Sequence, residues 1–356
     1  MNTAFSVQSC PVLGICGRSG AGKTTLIEAL IPRLRGLGLS VAAVKDGVRQ
    51  AQVDRPGKDS DRFFAAGADT ALFSSEQRFF RSHQSGMGLS ALLPSLCAAY
   101  DVVVVEGHAA TDVPKVWLSG PDNEGPPAYL QGTLLAVLRR EEADADRLFS
   151  FAQQLIAEKQ QQTAVWGCVL IGGQSSRMGQ PKHLLQQGGR TWLEGAAEKL
   201  SPLVGQLVLS GSGLIPAALA DLPRVPDVPG LAGPLAGILA VMRWQPAVSW
   251  LVMACDLPDA QPESLRWLLE QRRPGIRAVL PDLNAGGRLE PLLAWYDFRC
   301  RALLENIAAS GPLRLHRLAE QAGVLRAQPP LHLHGSWRNV NTPEELAGQG
   351  GPALSV

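Results

Sequence analysis

The chain has 356 residues, 46% of them hydrophobic and 18% charged, a globular composition with room for two domains of ordinary size. Net charge is +1, and residues 1–160 hold 16 Lys+Arg against 17 Asp+Glu, so neither half is basic enough to track a nucleic-acid backbone and small anions at local sites are the expected ligands. Apolar runs stay below the roughly 18 residues of a membrane span, and the start MNTAFSVQSCPVLGICG reads as a first strand, not a signal peptide, which makes the cytoplasm the expected compartment.

The first block alternates strands with helical segments. PVLGIC, LSVAAVK, DVVVVEG, KVWL and TLLAVL are apolar without strict alternation, as strands buried on both faces of a mostly parallel sheet should be. Between the first two, Leu26, Leu30, Leu34 and Leu37 recur at helical spacing, with Gly36 and Gly38 where a helix should stop. The strand-to-helix junction is GRSGAGKTT. It has the full Walker A spacing: Gly17, Gly20 and Gly22 let backbone N–H groups curl around an anion, Lys23 reaches the outer phosphates, and the Thr24 hydroxyl is a metal oxygen, with Thr25 beside it in the first helical turn. Glu106 closes the buried strand DVVVVE, where a second metal ligand is expected. The charged stretch DRPGKDSDRFFAAGADT brings Asp54, Lys58, Asp59, Ser60 and Arg62, which fit a nucleotide-facing loop and a solvated loop equally well.

The polar patch AEKQQQT reads as the end of a helix and a short linker. This divides the chain into residues 1–157, a linker at 158–163, and residues 164–356. Alternation then restarts with VWGCVLIGG, QLVLSG, SWLVMACD and RAVLPD, and the Pro/Gly-rich DLPRVPDVPGLAGPLAG is expected to be an ordered loop near a site. LIGGQSSRMGQPKHLL is a second strand-to-loop junction with anion-binding character but no Walker A ending. Gly172 and Gly173 clear side chains so that backbone lies flat against a base or sugar, while Arg177 and Lys182 supply cations. MACDLP ends a strand in Asp256, a carboxylate at the carboxyl edge of a sheet and a hard ligand for Mg²⁺. WRNVNTPEEL offers Asn339 and Asn341, although an Asn before Thr-Pro-Glu-Glu also suits a helix cap. His332 and His334 would share one face of a strand, without a third metal ligand in view. The six cysteines, Cys10, Cys16, Cys97, Cys168, Cys255 and Cys300, form no C-x-x-C pair and are expected as reduced core thiols.

With GRSGAGKTTLIEALIP, DRPGKDSDRFFAAGA and DVVVVEGHAATDVPKV in order, the first half resembles the molybdopterin-guanine dinucleotide biosynthesis adapter family, a GTP-binding P-loop protein. The resemblance implies GTP held by Gly17–Thr25, Mg²⁺ held by Thr24 and Glu106, and a weak GTPase at most. One departure stands out: the family's histidines after the second-strand lysine are missing, since Lys45 is followed by DGVRQ.

LIGGQSSRMGQPKHLL, DVPGLAGPLAGIL, MACDLP, GRLEPLLAWY and NVNTPEEL, also in order, make the second half resemble the molybdenum cofactor guanylyltransferase family. That implies transfer of GMP from GTP to molybdopterin, with pyrophosphate released. Carried over by motif, Leu170, Ile171, Gly172 and Gly173 hold guanine and ribose, Arg177 and Lys182 the phosphates, and Asp227 the nucleoside. Asp256 holds Mg²⁺, Gly233 and Gly237 of a GPLAG loop and Arg314 lie toward the pterin, and Asn339 and Asn341 lie by the metal or the pterin. The whole chain then reads as a fusion: a P-loop NTPase domain followed by a Rossmann-like nucleotidyltransferase domain. Its partners are expected to be proteins that donate molybdopterin and molybdoenzymes that accept the product. Three alternatives stand beside this reading: a cytidylyltransferase on the same pterin, disfavoured by Gly172-Gly173 and GPLAG; a sugar-nucleotide pyrophosphorylase, disfavoured by the first half; and a non-catalytic GTP-dependent carrier, disfavoured by the joint presence of Lys182 and Asp256.

Overall fold

A computed structural model of the protein describes residues 10–45, 62–63, 65–66, 70–73, 78–81, 88–120, 124–139, 144–172, 181–284, 289–310 and 315–340. Of the residues singled out above, Gly173, Arg177, Arg314 and Asn341, together with Asp54, Lys58, Asp59 and Ser60, lie outside them. The chain forms two compact units, Met1–Ile156 and Ala157–Val356.

The first unit is built on a five-stranded sheet. β1 (Val12–Gly17), β2 (Val41–Lys45), β5 (Val102–Glu106), β6 (Lys115–Leu118) and β7 (Leu134–Leu138) lie in the order β2-β5-β1-β6-β7, all parallel. A separate antiparallel ladder pairs β3 (Thr70–Phe73) with β4 (Arg78–Arg81). Alternate residues of the apolar runs serve the two faces: Leu13, Ile15, Val102 and Val104 join the core under α1 (Lys23–Gly36) and α3 (Ala145–Gln162). Val12, Val103 and Val105 join the core under α2 (Leu89–Ala99). Burial on both faces is why β1, β5 and β6 show no polar alternation, whereas the edge strands β2 and β7 are partly exposed despite their apolar sequence, with Leu134 and Val137 at 38% and 44%.

Three expectations change here. The inward face of α1 is Ile27, Leu30 and Leu34; Leu37 falls one residue past the helix and is 45% exposed, because the chain has already turned toward β2. The AEKQQQT patch is helical almost to its end, since α3 continues to Gln162. Cys10 and Cys97 are not free thiols: they form a disulfide across 87 residues, because packing α2 on the start of β1 brings their Cα atoms to 4.9 Å. Cys16, Cys168, Cys255 and Cys300 are buried free thiols, as expected.

The second unit carries a seven-stranded sheet, ordered β12-β11-β8-β13-β15-β14-β16. These strands are β8 (Val165–Leu170), β11 (Gln206–Ser210), β12 (Arg224–Val225), β13 (Ser249–Ala254), β14 (Ala278–Pro281), β15 (Leu293–Tyr296) and β16 (Val324–Ala327). Only β15 runs antiparallel to its neighbours. Neighbouring residues again divide between faces: Leu251 and Met253 point to the core holding α4 (Trp192–Leu200) and α6 (Pro262–Glu270). Trp250 and Val252 point to the core holding α5 (Pro234–Trp244) and α7 (Cys300–Ala309). A two-residue hairpin, β9 (Gln186–Gln187) with β10 (Arg190–Thr191), leads into α4, whose start is fixed by a capping box between Thr191 and Glu194. GPLAG proves to be a helix start and not a loop. Gly233 is the N-cap of α5, Pro234 occupies the first helical position where its missing N–H costs nothing, and Gly237 lies one turn in. His332 and His334 sit on a 3-10 turn, Leu331–Trp337, where His332 faces Glu263 and His334 faces the Pro329 carbonyl.

At the carboxyl ends of β8 and β11 the chains come unusually close. Gly211 has φ +116°, and a Cβ there would lie 1.8 Å from the Ile171 carbonyl oxygen. Gly211→Ala should force these strand ends apart at a cost of about 1–3 kcal/mol. Urea unfolding followed by tryptophan fluorescence will detect it, because Trp117 alone of the eight tryptophans lies in the first unit; an unchanged midpoint would contradict the close approach.

Candidate functional site

In the first unit, the loop after β1 adopts the conformation that its glycines allow, with Gly20 at φ +80° and Gly22 at φ +88°. Lys23 Nζ donates to the Gly17 and Arg18 carbonyls at 3.0 and 2.7 Å, so its ammonium spans the loop mouth. Thr24 Oγ1 donates to the Glu106 carboxylate at 3.0–3.1 Å, which brings the two expected metal oxygens together; Thr25 is exposed beside them. Lys45, noted in the sequence only as the lysine that ends the second strand, joins them. Its Nζ lies 3.1 and 3.2 Å from the two Glu106 oxygens. The parallel register that pairs Lys45 with Glu106 is fixed at the far end of the same strands, where Ser40 donates through its N–H and hydroxyl to Asp101 Oδ2 at 2.8 and 2.6 Å. Arg62 is exposed.

In the second unit, β8 has β11 on one side and β13 on the other, and β13 pairs Ala254 with Leu170. A crevice must open above the carboxyl ends of strands whose connections diverge in this way. It has a volume of about 280 Å³. Its walls include Leu170, Ile171, Gly172, Lys182, Asp227, Gly233 and Asp256, all expected from the sequence, and also Ser210, Pro234, Cys255 and Leu292, none of which had been assigned a role individually.

Lys182 Nζ lies 3.0 Å from Asp256 Oδ2, and each side chain is only 19% exposed. Both partners are held from behind. Lys182 opens a 3-10 turn in which His183 is buried with Nε2 2.7 Å from the Leu214 carbonyl, while Leu185 packs with Trp192 and Val340. The Asp256 carbonyl accepts from Val340 N at 3.1 Å, and the Pro258 carbonyl accepts from Lys199 Nζ at 2.7 Å. The Val340 contact sets Asn339 beside the Asp256 turn. Asp256 Oδ1 and Asn339 Oδ1 are both buried and have no hydrogen-bond partner among the described residues. Two such oxygens are costly unless something positive meets them. Burial pushes the Cys255 thiol up to about 12, so it stays neutral beside Asp256 and is not a nucleophile. Asp227 as a residue is exposed, yet its carboxyl tips into the crevice, where partial burial raises its pKa above the ordinary value. No group of three or more metal-binding side chains occurs among the described residues.

Two families match separate parts of the chain. A family model for molybdopterin guanine dinucleotide synthesis protein B matches residues 12–140, and one for the MobA-like NTP transferase domain matches residues 167–324. The chain is 33% identical over 186 residues to a protein of Bacillus cereus (strain Q1) named probable molybdenum cofactor guanylyltransferase, covering 50% of this chain and 92% of that one. It is similar to the solved molybdopterin-guanine dinucleotide biosynthesis protein A of Archaeoglobus fulgidus, at 27% identity with a TM-score of 0.45, over 51% of this chain and 95% of the other. It is also similar to a solved molybdopterin-guanine biosynthesis protein B, at 29% identity with a TM-score of 0.33, over 41% of this chain and 99% of the other.

Gly237 underlies the crevice floor. A Cβ there would lie 3.0 Å from Leu170 Cδ2 and Ser210 Oγ and 3.2 Å from Asp227 Oδ1. Gly237→Ala should therefore tilt all three side chains while costing no more than about 1–2 kcal/mol of stability. A calorimetric titration should show nucleoside triphosphate binding at this site weakened about tenfold; unchanged affinity would mean the floor is not used.

Proposed function

Because the chain belongs to the molybdenum cofactor guanylyltransferase family and also carries a synthesis protein B domain, we propose that it transfers GMP from GTP to molybdopterin. The products are molybdopterin guanine dinucleotide and pyrophosphate. The observation that carries this reading is the half-buried Lys182–Asp256 pair on the crevice wall, together with the buried oxygens Asp256 Oδ1 and Asn339 Oδ1, which have no hydrogen-bond partner among the described residues.

In the reaction, the terminal phosphate oxygen of molybdopterin forms a bond to the α-phosphorus of GTP as the bond to the bridging oxygen of the β-phosphate breaks. Two anions must meet, so charge has to be offset at that point. Lys182 is a fixed cation whose position is set by packing and does not have to reorganise during the step. Arg177 is a second cation for the same phosphates, on the evidence of its motif alone. Leu170, Ile171 and Gly172 offer backbone to the guanine and ribose, with Gly173 continuing that edge by motif, and Asp227 faces the nucleoside. Gly233, Asn339, and by motif Asn341 and Arg314, lie toward the pterin.

The hard, partnerless oxygens of Asp256 and Asn339 fit Mg²⁺, which takes a few protein oxygens and keeps the rest of its shell as water. When bound, that ion supplies positive charge to the phosphates. In the first unit, Gly17, Gly20, Gly22, Lys23, Thr24 and Thr25 are proposed to hold GTP, with Thr24 and Glu106 as oxygens for Mg²⁺ and a slow GTPase activity at most. Proteins that donate molybdopterin and accept the finished cofactor are the proposed partners. No described helix is long and apolar enough to cross a membrane.

Asp256→Asn keeps the shape and removes the anion, and Lys182→Ala removes the cation; each should lower GMP transfer at least about 100-fold in a folded protein. The assay follows guanine dinucleotide formation from GTP, Mg²⁺ and a molybdopterin-loaded acceptor, with CTP in parallel. Turnover within about threefold of wild type would remove the role assigned to that residue, and equal rates with CTP would overturn the choice of base.

Lys23→Ala should lower the stoichiometry of GTP binding from two per chain to one, because the loop loses its outer-phosphate cation. Two equivalents in the variant would remove the role assigned to Lys23.

A further inference from the structure

The connection from β5 to β6 crosses the edge of β1 in eight residues, Gly107 to Pro114, without a helix. A loop in that position leaves carbonyls facing the protein interior, and each needs a donor. The donor is Lys115, the first residue of β6, whose side chain is fully buried. Its Nζ donates to the Thr111 carbonyl, to the Val113 carbonyl at 3.2 Å and to the Gln131 carbonyl at 2.6 Å. An ammonium has three N–H donors, and all three are used. The stem passes β1 at Gly14, where a Cβ would come within 2.8 Å of Lys115 Cγ. Burial pushes the lysine below its ordinary pKa, the cost expected of a cation kept from water among carbonyl dipoles.

The other end of the same loop is the first nucleotide site. Gly107 follows Glu106 directly, its N–H donates to Ile15 O at 3.0 Å, and its carbonyl lies 2.9 Å from Cys16 Sγ. His108 next to it holds φ +57°, the only non-glycine with positive φ among the described residues, a conformation that persists only where the surroundings impose it. A cavity of about 370 Å³ lined by Gly17, Gly107, His108 and Thr111 opens beside this loop, which is bonded to β1 at Gly107 and, through the Pro114 carbonyl and Gly14 N at 2.8 Å, at its other end.

We propose that Lys115 is a positioning residue for the first nucleotide site: by tying Thr111, Val113 and Gln131 together it holds the loop that fixes Glu106, and through Glu106 it sets how strongly Mg²⁺ tightens nucleotide binding at residues 17–25. This rests on the reading of residues 17–25 as a nucleotide site. Lys115 touches neither nucleotide nor metal. The phosphate loop itself belongs to β1 and α1, so binding without Mg²⁺ should not depend on Lys115.

The test uses the full chain and a fluorescent GTP analogue, titrated in EDTA and in Mg²⁺. The signal is the component that Lys23→Ala removes, which separates this site from the second unit. In Lys115→Met, EDTA-state affinity should stay within about twofold of wild type, and the gain from Mg²⁺ should fall about tenfold or more. If the Mg²⁺ gain is unchanged, the loop does not need its lysine and the proposal is wrong. If binding is lost in EDTA as well, Lys115 only supports the fold, and the proposal is equally overturned. If Lys23→Ala removes no signal from the wild-type protein, the reading of residues 17–25 has failed, an outcome distinct from either.

Discussion

Parallel strands that send their connections to opposite sides leave their carboxyl ends uncovered, and both units are organised around that constraint. In the first it falls at β1, between β5 and β6; in the second it falls at β8, between β11 and β13. Charge between the buried faces of such a sheet is costly and, as at Lys115, needs several backbone acceptors, so the chemistry gathers at those open ends. Lys23, Thr24, Lys45 and Glu106 lie at one, and Lys182, Asp227 and Asp256 at the other. Apolar strands buried on both faces supply the rigidity that keeps these polar groups in place.

The two ends handle charge differently. At the first, lysine and carboxylate meet at an exposed rim: the Lys45 side chain is 55% exposed, and solvent screens its attraction to Glu106. At the second, Lys182 and Asp256 share a partly buried wall in which each restrains the other, and the buried oxygens Asp256 Oδ1 and Asn339 Oδ1 have no donor among the described residues. Polar groups left unmatched inside a tightly packed frame are costly for stability, so they mark where a ligand's charge belongs. The supports around them, His183 on the Leu214 carbonyl and Lys199 on the Pro258 carbonyl, keep the pair from relaxing toward water.

Much of this is local in the sequence and was legible there. A strand, a glycine turn and a helix in succession announce the phosphate loop, and an apolar run ending in Asp256 announces a carboxylate at a sheet edge. What stayed hidden depends on residues far apart in the chain. Lys45 meets Glu106 only through parallel register across 61 positions, a relation that no periodicity encodes. Pro234 and Gly237 read as loop residues, yet proline is at home in a first helical turn, and here glycine lets α5 pack against β8 and β11. β15 runs antiparallel, but burial on both faces gives it the same apolar signature as its parallel neighbours. The Cys10–Cys97 bridge could not be foreseen from spacing, because it depends on where α2 lands on the sheet.

That bridge closes the chain into a ring from residue 10 to residue 97. The phosphate loop, α1, β2 and Lys45 are threaded inside the ring, while Glu106 and Lys115 lie beyond it. A backbone cut anywhere between the two cysteines would therefore release no fragment: both cut ends would remain attached through sulfur, and the phosphate loop would stay joined to the rest of the protein. Only reduction would separate the pieces. A nicked chain would run at full length on a non-reducing gel and split in two on a reducing one.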